Sequence, residues 1–252
     1  MFKKALLATA IAATASFATW DYFPVQEAGK GQAELTVPFS MWGDWSRLGV
    51  GVGARYSIIQ NLEAGLRLPY TIFTHFDGDD AKADGIGNLD LMFRYQFMPI
   101  MNAFVDVNLP IGDEEVSPDG LGIYAGVQYS QNFGMVNFGS ELGFGLRTEG
   151  DDEVSPPFDL KIGLEADFAV NEMLTPYVGV DINMWLGEYT HDGDELPGSD
   201  ASGTIGIAPF LGLNIAINQM FYAGIDARFG IGEDYYGEDM PITLTGKFGV
   251  NF

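Results

Sequence analysis

Few residues in this chain could support acid–base or nucleophilic chemistry. It has no cysteine, and its only histidines are His75 and His191. No serine stands in a pattern that would pair with a histidine and an orienting carboxylate, as a hydrolytic serine site requires. His191-Asp192 would need Asp79 and Asp80 to form a His–carboxylate site, but these segments are acidic almost throughout. We interpret His191 as a solvated loop residue and expect no enzyme activity.

Metal and cofactor sites are not predicted either. The run Asp77-Gly78-Asp79-Asp80 is rich in the carboxylates that calcium prefers, but it lacks the D-x-D-x-D-G…E spacing of a calcium loop. Without cysteine there is no thiolate ligand or disulfide. The 35 acids against 12 bases give a net charge of −23, which excludes nucleic acid as a partner because binding it requires neutralised phosphates.

Charged residues instead recur in segments where every second residue is apolar. In the segment 88–97, Leu89, Leu91 and Phe93 alternate with Asp90 and Arg94. Such a period of two is typical of a strand whose two faces meet different surroundings. If the apolar face meets lipid, where Arg or Lys costs about 2–4 kcal/mol at the midplane, the charged face lines a lumen. The predicted lumen-lining charged residues are Arg55, Glu63, Arg67, Asp90, Arg94, Asp106, Glu141, Arg147, Asp159, Lys161, Glu165, Asp181, Asp226, Arg228 and Lys247.

This alternation predicts an all-β protein, a transmembrane antiparallel up-and-down β-barrel of about 12 strands. A soluble β-sandwich would also alternate, but it would not need so many long strands. Most of the segments reach the roughly 9–11 residues that a tilted strand needs to cross a bilayer. The predicted strands are residues 31–41, 48–59, 62–76, 86–98, 101–112, 120–133, 135–149, 158–170, 174–189, 204–217, 220–233 and 241–252.

The connections between these segments alternate in length. Short turns are predicted at 60–61, 99–100, 133–134, 171–173 and 218–219, with longer loops at 42–47, 77–85, 113–119, 150–157, 190–203 and 234–240. Outer-membrane barrels have short periplasmic turns and longer external loops. An even number of strands then predicts that both termini are periplasmic.

Both ends of the chain carry features of export to the outer membrane. Residues 1–18 have the positive start, short apolar run and small-residue cleavage site of a signal peptide. Residues 19–30 are predicted to be a periplasmic segment and residues 31–252 the barrel. The last strand places Phe248, Val250 and Phe252 on one face, a pattern that resembles the signal read by the barrel-assembly machinery. The expected partners are therefore this machinery, outer-membrane lipids and lipopolysaccharide.

The long loops are strongly acidic, with Arg47 and Lys82 as their basic residues. Charge of one sign at a pore mouth concentrates counter-ions, which predicts a preference for cationic or neutral solutes. The alternative is a solvated surface, bridged to lipopolysaccharide phosphates by divalent ions. The predicted external acids are Asp79, Asp80, Glu114, Glu115, Asp151, Asp152, Asp194, Glu195, Glu238 and Asp239.

Two interpretations of the lumen remain open. Its nearly matched charges favour a network of ion pairs that braces or plugs the barrel, whereas a water-filled path would use the same charges to select solutes. Inward glycines such as Gly126 and Gly143 are expected to leave space, and inward aromatics such as Tyr124 and Phe210 to reduce it. A barrel of this size lies between the filled small barrels and the open porins, so we expect a narrow pore.

The stretch from Tyr56 to Phe97 resembles the outer-membrane transporters of the meta-pathway of phenol degradation. The resemblance lies in YSIIQNLEAGLRLPYTI and in GIGNLDLMFRYQF, with Asn88 where that family usually has Asp. Leu109-Pro110-Ile111-Gly112 resembles the end of its next strand. The resemblance implies passive uptake of small solutes, including hydrophobic or aromatic ones. A closed structural or surface-interaction barrel, acting through its acidic loops, is the alternative function.

Overall fold

The computed structural model describes residues 25–76, 83–151 and 153–252. The predicted signal peptide and the first part of the segment 19–30 lie outside these residues. So do three of the predicted loop acids, Asp79, Asp80 and Asp152.

Twelve antiparallel strands close into a barrel, as predicted. Each pairs with its neighbours in the chain, and closure comes from the pairing of the first strand with the last, where Thr36 lies opposite Lys247. The barrel strands are β1 (Gly31–Trp42), β2 (Trp45–Ile59), β3 (Leu62–Phe76), β5 (Leu89–Met98), β6 (Met101–Leu109), β7 (Gly122–Asn132), β8 (Val136–Arg147), β10 (Phe158–Phe168), β11 (Leu174–Leu186), β14 (Ile205–Ala216), β15 (Phe221–Phe229) and β16 (Ile242–Asn251).

Four short strands and one helical turn complete the secondary structure of the described residues. Strand β4 (Gly85–Ile86) pairs with β3, while β9 (Val154–Ser155), β12 (Glu188–His191) and β13 (Asp194–Asp200) form a separate sheet beyond the barrel. The helix α1 (Glu233–Tyr236) lies between β15 and β16. No helix among the described residues is long and apolar enough to cross a membrane.

The faces of the strands follow the alternation in the sequence. On β15, Ile225 is 62% exposed on the outer face, whereas its neighbour Asp226 is 8% exposed inside. A strand turns successive side chains to opposite faces, so an apolar outer surface and a charged interior arise from the same segments.

Short turns and long connections lie at opposite ends of the barrel. At the short-turn end, β2 and β3 are joined by Gln60-Asn61, and the Gly31 N–H donates to the Phe252 carbonyl at 2.9 Å. The start of β1 and the end of β16 therefore lie at the short-turn end. We call the other end the long-loop end.

Several predicted boundaries at the long-loop end are wrong. The predicted loop 42–47 is a two-residue turn, because β1 continues to Trp42 and β2 starts at Trp45. The predicted strand 86–98 is interrupted between β4 and β5, and the strand 174–189 stops before Gly187, whose φ of 104° breaks the extended backbone. Loops assigned from composition at 150–157, 190–203 and 234–240 contain β9, the β12–β13 hairpin and α1. Strand β9 pairs with β12 from another loop, and Tyr235 of α1 packs on Trp185 of the barrel. The alternation within one segment does not record such contacts.

Candidate functional site

All fifteen predicted lumen-lining charged residues lie on the inner face. Twelve of them are buried, and Arg55, Arg147 and Asp159 are half-buried. Burying an isolated charge is costly, so charges in such an interior need partners.

Ion pairs inside the lumen join neighbouring strands and also strands that are one further apart. Arg94 on β5 donates to both carboxylate oxygens of Asp106 on β6. The Lys161 ammonium lies 3.5 Å from both the Glu141 and the Asp181 carboxylates, and so connects three strands. Arg228 pairs with the same Asp181 from β15. These contacts form the network that the matched charges suggested.

Tyrosine hydroxyls extend this network. Lys247 donates to the Tyr177 hydroxyl at 2.9 Å and lies 3.8 Å from Asp226. Tyr124 donates to Glu141 at 2.5 Å and Tyr222 to Glu34 at 2.9 Å. A hydroxyl that donates to a carboxylate stabilises its charged form without adding a second charge.

At the short-turn end the chain before β1 contacts this interior. Gln26 donates its backbone N–H to Glu63 at 3.3 Å, and Glu63 also accepts from Arg55 at 3.5 Å. The described part of the segment 19–30 therefore reaches the lumen charges.

The inward glycines do not leave the space expected of them at every position. Several inward aromatic rings lie on a glycine of a neighbouring strand: Tyr124 covers Gly143, and Tyr177 covers Gly212. A side chain at either glycine would collide with that ring. The glycines thus allow the rings to lie flat against the wall. The rings take up the space that the glycines would otherwise leave open in the lumen.

A cavity of about 860 Å³ opens among the long loops, and on β1 its lining reaches as far as Glu34. It extends from loop residues such as Glu114 and Asp151 down to Lys161 and Asp181 at mid-barrel. Beyond these, near the short-turn ends of the strands, the interior is filled by buried side chains that do not border the cavity. We call this filled region the packed layer; it includes Glu63, Arg94, Asn102, Gln128, Glu165 and Tyr177.

Two loops narrow the mouth of the cavity from opposite walls. In the loop 110–121, Val116 is buried and Ser117 accepts a hydrogen bond from the Asn88 backbone N–H at 3.1 Å. In the loop 230–241, Tyr235 packs on Trp185 with ring centroids 4.5 Å apart. The sequence did not predict that either loop turns into the lumen. The available signal was the pair Tyr235-Tyr236 in an otherwise acidic loop.

The tyrosines at this mouth are uncharged at neutral pH. Burial, opposed by nearby Arg228, raises the pKa of Tyr236 to about 12, and burial raises that of Tyr189 to about 12. Burial, with further contributions from Asp159 and Tyr236, raises the pKa of Tyr235 well above its usual value. The rings therefore present a neutral aromatic wall beside the carboxylates.

Asn88 holds the loop 110–121 in place and was not predicted as a site residue. Its side-chain amide donates to the Asn108 side chain at 3.1 Å and to the Pro118 carbonyl, and its oxygen accepts from the Gly112 N–H at 3.0 Å. Because Asn88 is buried, these hydrogen bonds cannot be replaced by bonds to water. They need a side chain with two N–H donors and an acceptor oxygen, which an amide supplies.

The seven predicted loop acids within the described residues are exposed at the long-loop end. They come from four loops, which the barrel brings around one mouth: Glu114, Glu115, Asp151, Asp194, Glu195, Glu238 and Asp239. They form no group of three or more that could hold a metal ion among the described residues.

The three C-terminal residues singled out by the sequence lie on the outer face or at the end of β16. Phe248 is 48% exposed and stacks on Phe221 with centroids 5.9 Å apart. Val250 is half-buried, and Phe252 stacks on Tyr56 at 6.5 Å.

No protein-family model and no curated protein sequence matches this chain. Solved structures share its fold. An outer membrane channel from Pseudomonas putida F1 superimposes with a TM-score of 0.77 at 13% identity, over 94% of this chain and 100% of that chain. The translocator domain of the autotransporter NalP from Neisseria meningitidis gives 0.54 at 12% identity, over 97% and 92%. The NanC porin gives 0.53 at 10% identity, over 87% and 98%. The chain has the fold of the outer-membrane β-barrels.

Proposed function

We propose that this protein is an outer-membrane channel through which small solutes diffuse passively. The observation that carries the proposal is the cavity of about 860 Å³, which is bordered by long-loop residues and reaches mid-barrel. Its lining combines a larger apolar and aromatic surface with charged groups such as Lys161 and Asp181, which suits small solutes that have both polar and apolar parts. Its volume lies within the range of small-molecule sites, roughly 300–1,000 Å³. The fold shared with an outer membrane channel and a porin supports this proposal.

The orientation follows from the asymmetry of the connections. We place the long-loop end outside the cell and the short-turn end, with both termini, in the periplasm, since outer-membrane barrels have this arrangement. In the same scheme residues 1–18 are a cleaved signal peptide, and Phe248, Val250 and Phe252 are the signal for the barrel-assembly machinery. The exposed apolar outer face meets outer-membrane lipid, with lipopolysaccharide around the loops.

The solutes that this channel favours are cationic or neutral. The exposed acids at the mouth raise the local concentration of cations, because charges of one sign at a low-dielectric opening focus their field. The aromatic wall formed by Trp185, Tyr189 and Tyr235 also suits solutes with hydrophobic or aromatic parts. No chemical step is assigned to these residues, and we propose no enzyme activity.

The packed layer favours a second candidate, a closed structural or surface-interaction barrel. Ion pairs such as Arg94–Asp106 and the buried Gln128 separate the cavity from the short-turn end. Passage through the barrel requires these side chains to rearrange. A barrel in which they never do would act through its acidic loops alone.

Conductance distinguishes the two candidates. Purified, refolded protein in a planar bilayer should give discrete single-channel currents, and liposomes that contain it should swell with small sugars. Boiled and unboiled samples should also migrate differently on a denaturing gel, which shows that the barrel has folded. A folded protein that gives neither current nor swelling would reject the channel and leave the closed barrel.

A further inference from the structure

One arginine and one aspartate at the cavity wall each carry a polar atom that the ion-pair network does not satisfy. Arg147 at the end of β8 and Asp159 near the start of β10 both border the cavity. A buried Nη1 of Arg147 and a buried Oδ1 of Asp159 have no hydrogen-bond partner among the described residues. Lys161, deeper in the barrel, is instead joined to Glu141 and Asp181 by ion pairs.

These two groups are close on the wall but do not pair. Asp159 lies directly opposite Gly145, and Arg147 is two residues further along the same strand and face. Such diagonal positions place their backbones about 7–8 Å apart. The Arg147 side chain instead leans over β7, where its Nη2 lies 3.5 Å from the Cβ position of Gly122. The charges of Asp90 and Asp119 also act on the Arg147 guanidinium.

Between the two charges the wall carries no side chain. A Cβ at Gly145 would lie 3.6 Å from Asp159 Cβ and 3.6 Å from a ring carbon of Tyr124, which is ordinary contact. A methyl-sized group therefore fits at Gly145 in contact with Asp159, and the Tyr124 ring forms one side of this recess. Trp185 lies opposite Asp159 on β11, and the Tyr235 hydroxyl is near the same carboxylate.

We propose that this recess is a binding site for a zwitterionic solute, with Asp159 binding an ammonium group and Arg147 a carboxylate. An apolar or aromatic remainder would lie against Tyr124 and Trp185. A guanidinium binds a carboxylate through two parallel hydrogen bonds, and an ammonium group supplies the donor that Oδ1 of Asp159 lacks. The inference rests on the proposed channel function, because it takes the cavity to be the entrance for solutes.

A single charge on the solute satisfies only half of the site. A plain amine leaves the buried Nη1 of Arg147 unpaired, and a plain carboxylate leaves Oδ1 of Asp159 unpaired. Since an unpaired buried polar group weakens binding, the zwitterion should bind roughly tenfold or more tightly than either single-charge analogue.

Three matched probes test this on the unmodified protein in micelles, by isothermal titration calorimetry. Phenylalanine carries both charges, phenethylamine lacks the carboxylate, and 3-phenylpropionate lacks the amine. We expect phenylalanine to bind at least roughly tenfold more tightly than the other two. If phenethylamine binds as tightly as phenylalanine, the site recognises cations alone, and if 3-phenylpropionate does so, it recognises anions alone. If phenylalanine does not bind, there is no such site. Each of these three results overturns the proposal.

Variants locate the binding. Arg147→Gln and Asp159→Asn should each weaken phenylalanine binding to the level of the corresponding analogue, and Gly145→Leu should abolish it without changing charge. The controls are Lys30→Gln and Glu172→Gln, two exposed residues at the short-turn end. Unchanged phenylalanine binding in a folded Arg147→Gln or Gly145→Leu protein contradicts the assignment.

Liposome swelling separates this inference from the proposed function. Swelling with sugars but no phenylalanine binding rejects the zwitterion site and keeps the channel. Phenylalanine binding without swelling by any solute rejects the channel and leaves a closed barrel with a binding recess.

Discussion

Arg94 and Asp106 face each other inside the barrel from β5 and β6, with Nη2 of the arginine 3.0 Å from Oδ2 of the aspartate. The guanidinium also lies over the Phe104 ring, with its carbon 4.9 Å from the centroid. Both charges are buried, so each depends on the other for its solvation. This pair therefore links two neighbouring strands and fills part of the lumen in one contact.

We expect Arg94→Met to destabilise the barrel by about 3–5 kcal/mol, because it leaves Asp106 buried without its cation. The double variant Arg94→Met/Asp106→Leu should recover most of that loss. Urea unfolding in lipid vesicles measures both free energies. Equal losses in the single and double variants would show that packing, not charge, stabilises this position.

Lys161 lies between the cavity and the packed layer and is shared by Glu141 and Asp181. In Lys161→Gln these carboxylates lose a common cation, so the ratio of cation to anion permeability should rise roughly two- to fivefold. Reversal potentials in a salt gradient give the ratio. Lys30→Gln, at the far end, should leave it unchanged. An unaltered ratio in Lys161→Gln would place the path of ions away from this residue.

The exposed acids at the mouth should act at long range. Replacing Glu114, Glu115 and Glu238 by glutamine should lower cation preference near 0.1 M salt, where the screening length is about 10 Å, and have little effect at 1 M, where it is about 3 Å. Glu172→Gln is the control at the opposite end. A salt-independent change would indicate altered loop structure instead of altered charge.

Asn88→Asp should loosen the loop 110–121. An aspartate cannot donate to Asn108 or to the Pro118 carbonyl, and the loss of such buried hydrogen bonds costs about 1–3 kcal/mol. Limited proteolysis of the loop should become faster. In the matched control Asn218→Asp, the side-chain oxygen only accepts, from the Met220 and Phe221 N–H groups, so aspartate preserves the turn. Equal proteolysis of both variants would contradict the anchoring role.

The aromatic ring of Phe252 should matter to assembly in cells more than to folding in vitro. Phe252→Ser keeps the backbone hydrogen bonds with Gly31 at 2.9 and 3.0 Å, which close the barrel. Refolded into vesicles, the variant should still show heat-dependent gel migration, whereas its yield in the outer membrane should fall. Phe221→Ser, an outward ring at the same end, is the control. An equal loss of yield in both variants would make the effect one of lipid contact.

The sequence alone determined the barrel, its strand number and the faces of its strands. The period of two in segments such as 88–97 is a property of the local backbone, and one side of each strand must meet lipid. The alternation within a segment is therefore enough to place its charged residues in the lumen. The placement of Arg94 or Asp226 needed no knowledge of any other strand.

Only the tertiary structure decided which charges meet. Lys161, Glu141 and Asp181 come from three strands, and their contact depends on the register set by closure of the whole barrel. The same register places Tyr124 over Gly143, so an aromatic ring covers a glycine that was expected to leave space in the lumen. It also leaves Nη1 of Arg147 and Oδ1 of Asp159 without a hydrogen bond among the described residues, on either side of Gly145. Register between strands is a relation among distant segments, and the alternation within one strand carries no record of it.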